Sequence, residues 1–292
     1  MGVCGESLGN TEISLKGEDS GFSNILKVRI AGPGSTDIKH KIVAKLTIPF
    51  LNGKEMHCTG MLIDRKNLLT AASCFEFEGV QADIAGIRVE FLGVGKYWEP
   101  LPAVVMGTEK VIKHEDYNPK TFENNIAILT LDREREDGLT YTKLHDKGGP
   151  LSGDTEIIGY GVSSKKEKAG GEKKLKSLLY SFYMVANCND FENHGKSYCY
   201  EVKKGRGACY GDMGGPLVSL NGRGNTIVGI TSHIYSIGKR GSCVETGDMV
   251  FFTLVSKYID WIWLNAGTKN SRLSAEKGSY RLANFFHKPY DG

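Results

Sequence analysis

Three short segments hold the residues of this sequence that could do chemistry. Residues 57–75 carry a histidine, two cysteines and a serine, residues 117–129 carry three asparagines, two of them adjacent, and residues 208–218 carry a carboxylate and a thioether between glycines. Covalent cleavage of an amide needs a hydroxyl or thiol nucleophile, an imidazole that takes its proton, and a group that orients the imidazole. These segments offer serine, amide and thioether side chains, but only one imidazole, that of His57.

Most of the sequence that must position these segments has the pattern of β-strands. Among the 292 residues 37 are glycine, and short runs rich in β-branched residues recur between turn signals. These runs are Lys41–Thr47, Ile87–Leu92, Val104–Met106, Ile126–Leu131, Glu156–Gly159 and Thr226–Ser232. Helical spacing occurs late in the chain, at Leu254, Tyr258, Trp261, Ile262 and Asn265. The pattern predicts an all-β body followed by one C-terminal helix.

Composition separates a central domain from two polar arms. We expect an N-terminal arm over residues 1–29, a folded domain over residues 30–265 and a polar C-terminal extension over residues 266–292. The arms could also be solvated tails that have no function. Residues 163–176 are polar and centred on glycines, so we expect them to form an exposed loop.

Charge and cysteine content restrict the classes of function. The formal net charge of +3 is too small to indicate nucleic-acid binding, and no run of about eighteen apolar residues predicts a membrane span. The sequence starts without the charged and apolar regions of a signal peptide, so either that peptide has been removed or the chain is not exported. The 7 cysteines leave one thiol over if the others pair.

The three segments together resemble the trypsin/chymotrypsin family of serine proteases. This sequence reads H-C-T-G-M-L-I and L-L-T-A-A-S-C-F, then N-N-I-A-I-L, then A-C-Y-G-D-M-G-G-P-L-V. The family has C-G-G-S-L-I, L-T-A-A-H-C, N-D-I-A-L-L and C-x-G-D-S-G-G-P-L-V. The resemblance runs over about residues 30–265 with the order and spacing of the segments intact. It implies two six-stranded antiparallel β-barrels of the chymotrypsin type with a C-terminal α-helix, divided near residue 140.

At the three catalytic positions of the family, the resemblance implies side chains that cannot perform its reaction. Ser73 stands in place of the general-base histidine, Asn125 in place of the orienting aspartate, and Met213 in place of the nucleophilic serine. A thioether has no proton to lose, and a serine hydroxyl does not take up a proton near neutral pH. Because loss of one triad member already costs about 10⁴-fold in rate, we expect no peptide hydrolysis.

Two histidines are alternatives to the missing base. His57 would lie on a strand facing away from the site, and we interpret it as a structural residue. His233 replaces a tryptophan of the family beside the substrate-binding Ser232, on the wall of the specificity pocket and too far from Met213 to act as its base. No group of histidine, cysteine and glutamate has the spacing of metal ligands, so we expect neither a metal nor a cofactor.

The specificity pocket of the family is changed as well. Gly207 occupies the base of the pocket, where trypsin-like relatives carry an aspartate that binds Lys or Arg. Ile234 and Val250 stand in place of two glycines that keep the pocket walls open, so their side chains would fill the slot. The alternative is a loop insertion near Ile234 that leaves the pocket open.

Other parts of the family's machinery are retained. The backbone N–H groups of Gly211 and Met213 could still form an oxyanion hole. Arg29-Ile30 resembles the site at which zymogens of the family are cleaved, after which the new Ile ammonium pairs with an aspartate, here Asp212. Alternatively, Arg29 is an ordinary residue before a strand.

Six cysteines match three disulfides of the family. The implied pairs are Cys58–Cys74, Cys188–Cys199 and Cys209–Cys243. Each would stabilise the fold by roughly 2–4 kcal/mol, and together they imply an oxidising compartment and hence secretion. Cys4 would then be free or bridge to another chain.

A fold that is kept while catalysis is lost must act by binding. The resemblance implies a cofactor, decoy or inhibitor in an extracellular proteolytic or immune cascade, with a protease, a protease inhibitor or an immune component as partner. A second hypothesis is an anion-binding effector that recognises glycosaminoglycan or microbial surfaces. A third is a residual hydrolase with an unrecognised nucleophile.

The second hypothesis depends on a cluster of cations near the old active-site face. In the family, the loops that correspond to the cation-bearing segments of this sequence border that face. Clustered charge of one sign attracts partners of the opposite charge, here anionic ones. The cations, against which only Glu167 and Glu172 stand, are Lys165, Lys166, Lys168, Lys173, Lys174, Lys176, Lys203, Lys204, Arg206, Lys239 and Arg240. The alternative is a solvated face that serves solubility alone.

Overall fold

The computed structural model describes residues 41–94, 100–135, 143–146, 155–161, 176–180, 197–202, 207–220, 226–236 and 246–267. Within this part of the chain the structure is almost entirely β. In chain order the strands are β1 Val43–Pro49, β2 Glu55–Leu62, β3 Asn67–Thr70, β4 Glu76–Phe77, β5 Val80–Gln81, β6 Arg88–Val94, β7 Pro100–Met106, β8 Thr108–Lys113, β9 Ala127–Leu131, β10 Lys143–Leu144, β11 Thr155–Gly159, β12 Lys176–Tyr180, β13 Ser197–Glu201, β14 Pro216–Ser219, β15 Thr226–Tyr235 and β16 Met249–Leu254. The helix α1 spans Ile259–Ala266.

The first sheet is curled, and its two edge strands, β7 and β8, follow each other in the chain. Its seven antiparallel strands lie in the order β7-β6-β1-β2-β3-β9-β8. The edge strands β7 and β8 are separated only by Gly107, where a Cβ would lie 2.8 Å from a carboxylate oxygen of Asp132. One long strand is therefore interrupted at this glycine. The predicted six strands become seven through this break and not through an additional segment.

The second sheet has six antiparallel strands in the order β12-β11-β14-β15-β16-β13. The two-residue strand β10 adds a short parallel pair to β15. Between β15 and β16 the register shifts from Thr231↔Phe252 to His233↔Phe251, so Ser232 is an extra residue in β15. Such a bulge redirects the local side chains, and here it lies at the candidate site.

Three buried clusters support the sheets in the described part of the chain, and the smallest consists of Cys199, Met249 and Phe251. The largest cluster lies mainly in the first barrel and reaches α1 through Ile262, and strands β3 and β9 are buried along their whole length. A smaller cluster lies in the second sheet around Tyr200, Val250 and Phe252. Each fully buried aliphatic or aromatic side chain contributes roughly 1.5–3 kcal/mol.

The C-terminal helix begins later than its sequence pattern predicts. Leu254 is the last residue of β16 and Tyr258 is the N-cap of α1, so only the later part of the apolar pattern is helical. The helix ends at Gly267, whose φ of +65° gives the left-handed turn common after helices. The Asn67 side chain donates a 3.0 Å hydrogen bond to the Ala266 carbonyl. In the described part of the chain, no helix has the length and apolar character needed to cross a membrane.

The strand predictions are confirmed with changed bounds. Each of the six predicted runs overlaps a strand, namely β1, β6, β7, β9, β11 and β15. The structure extends β7 back to Pro100 and β15 on to Tyr235, because pairing with β6 and β16 continues beyond the predicted runs. The two predicted arms lie outside the described residues except for the end of α1 and Gly267, so the domain boundaries stay predictions.

Candidate functional site

Ser73 and Asn125 form a hydrogen-bonded pair. Ser73 lies in a 3-10 turn after β3, and Asn125 lies just before β9. Because β3 and β9 are paired, with Thr70 opposite Ala127, the two residues meet at the same end of the sheet. The Ser73 N–H donates to Asn125 Oδ1 at 2.8 Å, and Asn125 Nδ2 donates to Ser73 Oγ at 3.1 Å.

Asn125 also joins the first barrel to the second. Its Nδ2 donates to Ser232 Oγ at 2.9 Å and lies 3.2 Å from the Ser232 carbonyl oxygen. The backbone carbonyl of Asn125 accepts a hydrogen bond from Thr253 Oγ1 at 3.1 Å. The side chain is fully buried. The amide suits this place because its oxygen faces an N–H group and its nitrogen faces a carbonyl. A carboxylate here would set an oxygen against that carbonyl.

Met213 completes the set of three positions. Its carbonyl oxygen accepts the Thr59 N–H at 2.8 Å and lies 3.8 Å from the sulfur of Cys74, the residue after Ser73. Cys74 is bonded to Cys58 with an S–S distance of 2.02 Å. The Met213 side chain is half-buried and packs against the larger core. The fold therefore brings Ser73, Asn125 and Met213 to one locality between the sheets.

The loop before β14 is fixed by glycines. Gly211 and Gly214 have φ of +98° and +84°. A Cβ on Gly214 would overlap Thr70 Oγ1 and the Thr59 carbonyl oxygen, so no other residue fits this place. Within the described residues, the N–H groups of Gly211 and Met213 donate no hydrogen bond, whereas the Gly214 N–H donates to Thr231 at 2.8 Å.

The Asp212 carboxylate is held by backbone donors. Its two oxygens accept the N–H of Gly161 at 2.6 Å and the N–H of Cys209 at 2.9 Å. A Cβ on Gly159 or Gly161 would overlap this carboxylate. The sequence Gly-Tyr-Gly at 159–161 thus forms a close-fitting cradle around a buried charge.

The region beneath Gly207 is filled by other residues. A Cβ on Gly207 would lie 2.7 Å from Val202 Cγ2 and 3.4 Å from the Tyr200 hydroxyl, which accepts the Ala208 N–H at 3.0 Å. Both side chains are buried. Sequence reasoning missed Val202 and Tyr200. The signal that could have found them is the strand alternation after Cys199, which turns Tyr200 and Val202 to the same face.

Ile234 and Val250 lie opposite each other in the ladder between β15 and β16. Val250 is completely buried, and half-buried Ile234 packs against the cluster that also contains Val202 and Ala208. The two residues therefore share a cluster with Val202, the side chain that a Cβ on Gly207 would meet.

His233 lies between two phenylalanines. Its ring is parallel to Phe122, with centroids 4.4 Å apart, and to Phe251, with centroids 4.5 Å apart. Its Nδ1 lies 3.1 Å from Ser232 Oγ. The sequence pattern did not indicate this stack. His57 lies apart from the site on β2, 3.4 Å from Thr47 Oγ1 and 3.3 Å from Glu55.

The remaining predicted site residues lie wholly or partly outside the described part of the chain. Cys199 and Cys209 are each disulfide-bonded, and their predicted partners are outside it. The predicted cleavage site at Arg29-Ile30, Cys4 and the basic side chains are also outside it, although the backbone of Lys176 begins β12. Within the described ranges, no three His, Cys, Asp or Glu residues are grouped to hold a metal ion.

This architecture, two curled antiparallel sheets with Ser73, Asn125 and Met213 between them, is the chymotrypsin-type serine-protease fold. The sequence model of the trypsin family matches residues 35–262. This chain therefore belongs to the trypsin family, as its sequence predicts.

Individual relatives are moderately similar. Collagenase of Hypoderma lineatum is 29% identical over 77% of this chain and 82% of its own length. Serine protease ea of Drosophila melanogaster is 27% identical over 87% and 70%, and phenoloxidase-activating factor 3 of Holotrichia diomphalia is 27% identical over 73% and 64%. A solved structure of HL collagenase matches with a TM-score of 0.63 at 23% identity, covering 84% of this chain and all of that one, which confirms the fold.

Proposed function

We propose that this chain is a non-catalytic member of the trypsin family that acts by binding an extracellular protein. In this role it regulates a proteolytic or immune cascade as a cofactor, decoy or inhibitor. The observation that carries the proposal is the pair of hydrogen bonds between Ser73 and Asn125 beside Met213, in the place where the family has its catalytic triad.

The contacts of this pair provide no route for proton transfer. Ser73 accepts a hydrogen bond from an amide that neither takes up nor releases a proton at neutral pH. Met213 has no proton to give and is a poor nucleophile toward an amide. Among the described residues no imidazole is hydrogen-bonded to Ser73, so general-base activation of its hydroxyl has no support there.

The filled region beneath Gly207 supports the same proposal. Val202 and Tyr200 occupy the space into which a side chain at position 207 would project, and Ile234 and Val250 share the cluster of Val202. A Lys or Arg side chain entering from a substrate would meet the buried side chain of Val202, and burying its charge against that apolar group would be unfavourable.

Disulfides and relatives support an extracellular role. The bond between Cys58 and Cys74, with disulfide-bonded Cys199 and Cys209, is typical of an oxidising compartment. One relative is named phenoloxidase-activating factor 3, the name of a protein that activates another protein. A protease, a protease inhibitor or an immune component of such a cascade is the proposed kind of partner.

A serine-directed fluorophosphonate probe tests the absence of catalysis. We expect no labelling of the purified full chain and no hydrolysis of arginine or tyrosine esters, whereas active trypsin in the same buffer is labelled and turns over substrate. Labelling of a serine in this chain, removed by an alanine substitution of that serine, would favour the residual hydrolase instead.

The basic cluster favours a second role, binding of anionic polysaccharide. It combines Lys and Arg residues from three sequence segments with two glutamates. Retention on heparin should fall steeply between low and physiological salt if these cations act together. Replacing Lys173, Lys174 and Lys176 by glutamine should shift elution to lower salt, while the same change at Lys54, Lys66 and Lys113, outside the cluster, should not. Equal shifts would indicate that only net charge matters.

A further inference from the structure

The methionines in the described part of the chain differ in their exposure to solvent. Met213, in the loop before β14, and Met56, on β2, are both half-buried and pack against the largest cluster. Met61, Met106 and Met249 are only 0%, 3% and 6% exposed. A reagent in solution therefore reaches the sulfur of Met213 or Met56 more readily than the other three sulfurs.

The thioether of methionine reacts with oxidants although it does not attack amides. Its polarizable sulfur accepts an oxygen atom from a peroxide and becomes a sulfoxide. Cysteine thiols would compete for the same oxidant, but the four cysteines of the described residues, Cys58, Cys74, Cys199 and Cys209, are all disulfide-bonded. Within this part of the chain, methionine is therefore the sulfur that a peroxide oxidises first.

Met213 differs from Met56 in the backbone donors beside it. Within the described residues, the N–H groups of Gly211 and Met213 donate no hydrogen bond. Gly211 has a φ of +98°, and in a turn of this kind backbone N–H groups can converge on one electronegative atom. Met56 instead lies in a regular ladder between β1 and β2, opposite Ile48.

The carboxylate between these two donors in sequence does not occupy them. The two oxygens of Asp212 accept the N–H groups of Gly161 and Cys209. The sulfur of methionine is three rotatable bonds from its own Cα, which makes the side chain adaptable. An oxygen on the sulfur of Met213 can therefore be brought to the donors of its own turn.

We propose that Met213 is a site of oxidation by hydroperoxides, and that the N–H groups of Gly211 and Met213 bind the oxygen of its sulfoxide. A lone pair of the sulfur attacks the terminal oxygen of the hydroperoxide, so an S–O bond forms while the O–O bond breaks. Sulfur gives up two electrons, and the other peroxide oxygen takes up the proton of the transferred oxygen and leaves as an alcohol, or as water from hydrogen peroxide. Negative charge grows on the peroxide oxygens during this step, so nearby donors also accelerate it. This modification goes beyond the proposed binding function and needs no partner protein.

Peptide mapping by mass spectrometry measures the rate at each methionine after the full chain is treated with hydrogen peroxide. We expect Met213 to be oxidised about ten-fold faster than Met56, because both are half-buried and only Met213 lies in the turn that carries the donors. The rates at Met61, Met106 and Met249 should be lower than both. A rate at Met213 equal to or below that at Met56 would overturn the proposal.

The configuration of the sulfoxide tests the hydrogen bonds separately from accessibility. Donors fixed in the backbone should favour one of the two epimers at the sulfur, and methionine sulfoxide reductases A and B each reduce one epimer only. After proteolysis of the oxidised chain, one reductase should restore most of Met213, whereas each should restore about half of Met56. Equal restoration of Met213 by the two reductases would contradict the hydrogen bonds to its sulfoxide.

Met213→Leu is the matched variant, since leucine keeps nearly the same volume without the sulfur. Peroxide should slow amide hydrogen exchange at Gly211 and at position 213 about ten-fold in the parent chain, because hydrogen-bonded N–H groups exchange more slowly, and should not slow it in the variant. Met56→Leu is the control and should behave as the parent does. Slowing in Met213→Leu, or none in the parent, would overturn the proposal. Because neither serine labelling nor partner binding is measured, failure here is distinct from failure of the proposed function.

Discussion

The loop around Asp212 and the region beneath Gly207 differ in what they retain of the family. In the loop, Gly211, Asp212 and Gly214 keep the family's residues, and each is constrained by a left-handed φ or by close backbone contacts. Beneath Gly207, Val202 and Tyr200 fill the space where a carboxylate would project. Residues that the backbone requires are kept, and residues that only a substrate requires are replaced.

The centre between these regions combines both behaviours. Asn125 keeps the hydrogen-bonding geometry of a buried polar group that links the sheets, although its chemistry differs from that of an aspartate. Buried polar groups must be satisfied whatever their catalytic role. Hydrogen bonding at Asn125 therefore serves the fold, whereas the identity of the bonded groups, an amide and a serine hydroxyl, is what bears on catalysis.

The largest expected effect is that of Gly214→Ala. The added Cβ meets Thr70 and the Thr59 carbonyl at a φ of +84°, so we expect the free energy of unfolding in urea to fall by about 4 kcal/mol or more. Gly53→Ala is the control, since its φ of +79° is similar but nothing lies within 4 Å, and it should cost about 1 kcal/mol. Similar losses of unfolding free energy in both variants would mean that close packing is not the reason why position 214 requires glycine.

Gly207→Asp should have the next largest effect. The new side chain would meet Val202 at 2.7 Å from its Cβ and bury a charge, so we expect a loss of about 3 kcal/mol and no binding of benzamidine by calorimetry. Adding Val202→Ala should recover part of the stability because it makes room. If Gly207→Asp alone is as stable as the parent and binds benzamidine, the slot is open and the comparison with the Asp212 loop fails.

Tyr258→Phe tests how firmly the helix holds the loop before Asn125. Loss of the 2.9 Å hydrogen bond to Asn124 should cost about 1 kcal/mol at pH 7. Burial raises the pKa of Tyr258 to about 12 from its ordinary 10. The raised pKa stabilises the fold below pH 10, and this contribution is lost as pH rises toward about 12.

The check on Tyr258 is urea unfolding at pH 7, 10 and 11.5. The difference between parent and variant should shrink across this range, because phenylalanine has no proton to lose. If the difference in free energy of unfolding stays constant across this pH range, the pKa of Tyr258 is the same in the folded and unfolded chains and the prediction is wrong.

The smallest expected effect is on substrate turnover when the triad is restored. In the combined variant Ser73→His, Asn125→Asp, Met213→Ser we expect fluorophosphonate labelling, which needs no pocket, but no measurable hydrolysis of an arginine ester. Labelling that is lost when Ser73→His is reverted confirms that the centre has reassembled. Rapid ester hydrolysis would show that the filled region beneath Gly207 does not exclude substrate.

Much of the fold follows from local sequence. Short β-branched runs predict β1, β6, β9 and β11 because each is paired or buried as such runs require. The break at Gly107 was not predicted from the local pattern, and its backbone partner across the sheet, the Asp132 N–H, is 25 residues away in the chain. Leu254 fits a helical spacing but pairs with Gly229 in the ladder between β15 and β16, so tertiary pairing overrode the local pattern.

The candidate site likewise contains residues that the sequence predicts and contacts that it does not. Ser73, Asn125 and Met213 could be assigned from motifs, since neighbouring cysteines and glycines fix the register. Contacts among residues far apart in sequence could not be assigned. Val202 against Gly207 depends on how β13 lies beside the loop, and Phe122 on His233 depends on a strained turn and a bulge in β15.

The hydrogen bond from Asn67 to Ala266 has a consequence for synthesis. These residues are 199 positions apart, yet they join the start of β3 to the end of α1. As the chain emerges from the ribosome, the first barrel is complete in sequence long before its last support is translated. The first barrel lacks this brace until α1 has left the exit tunnel, and so would a nascent chain stalled before Ile259.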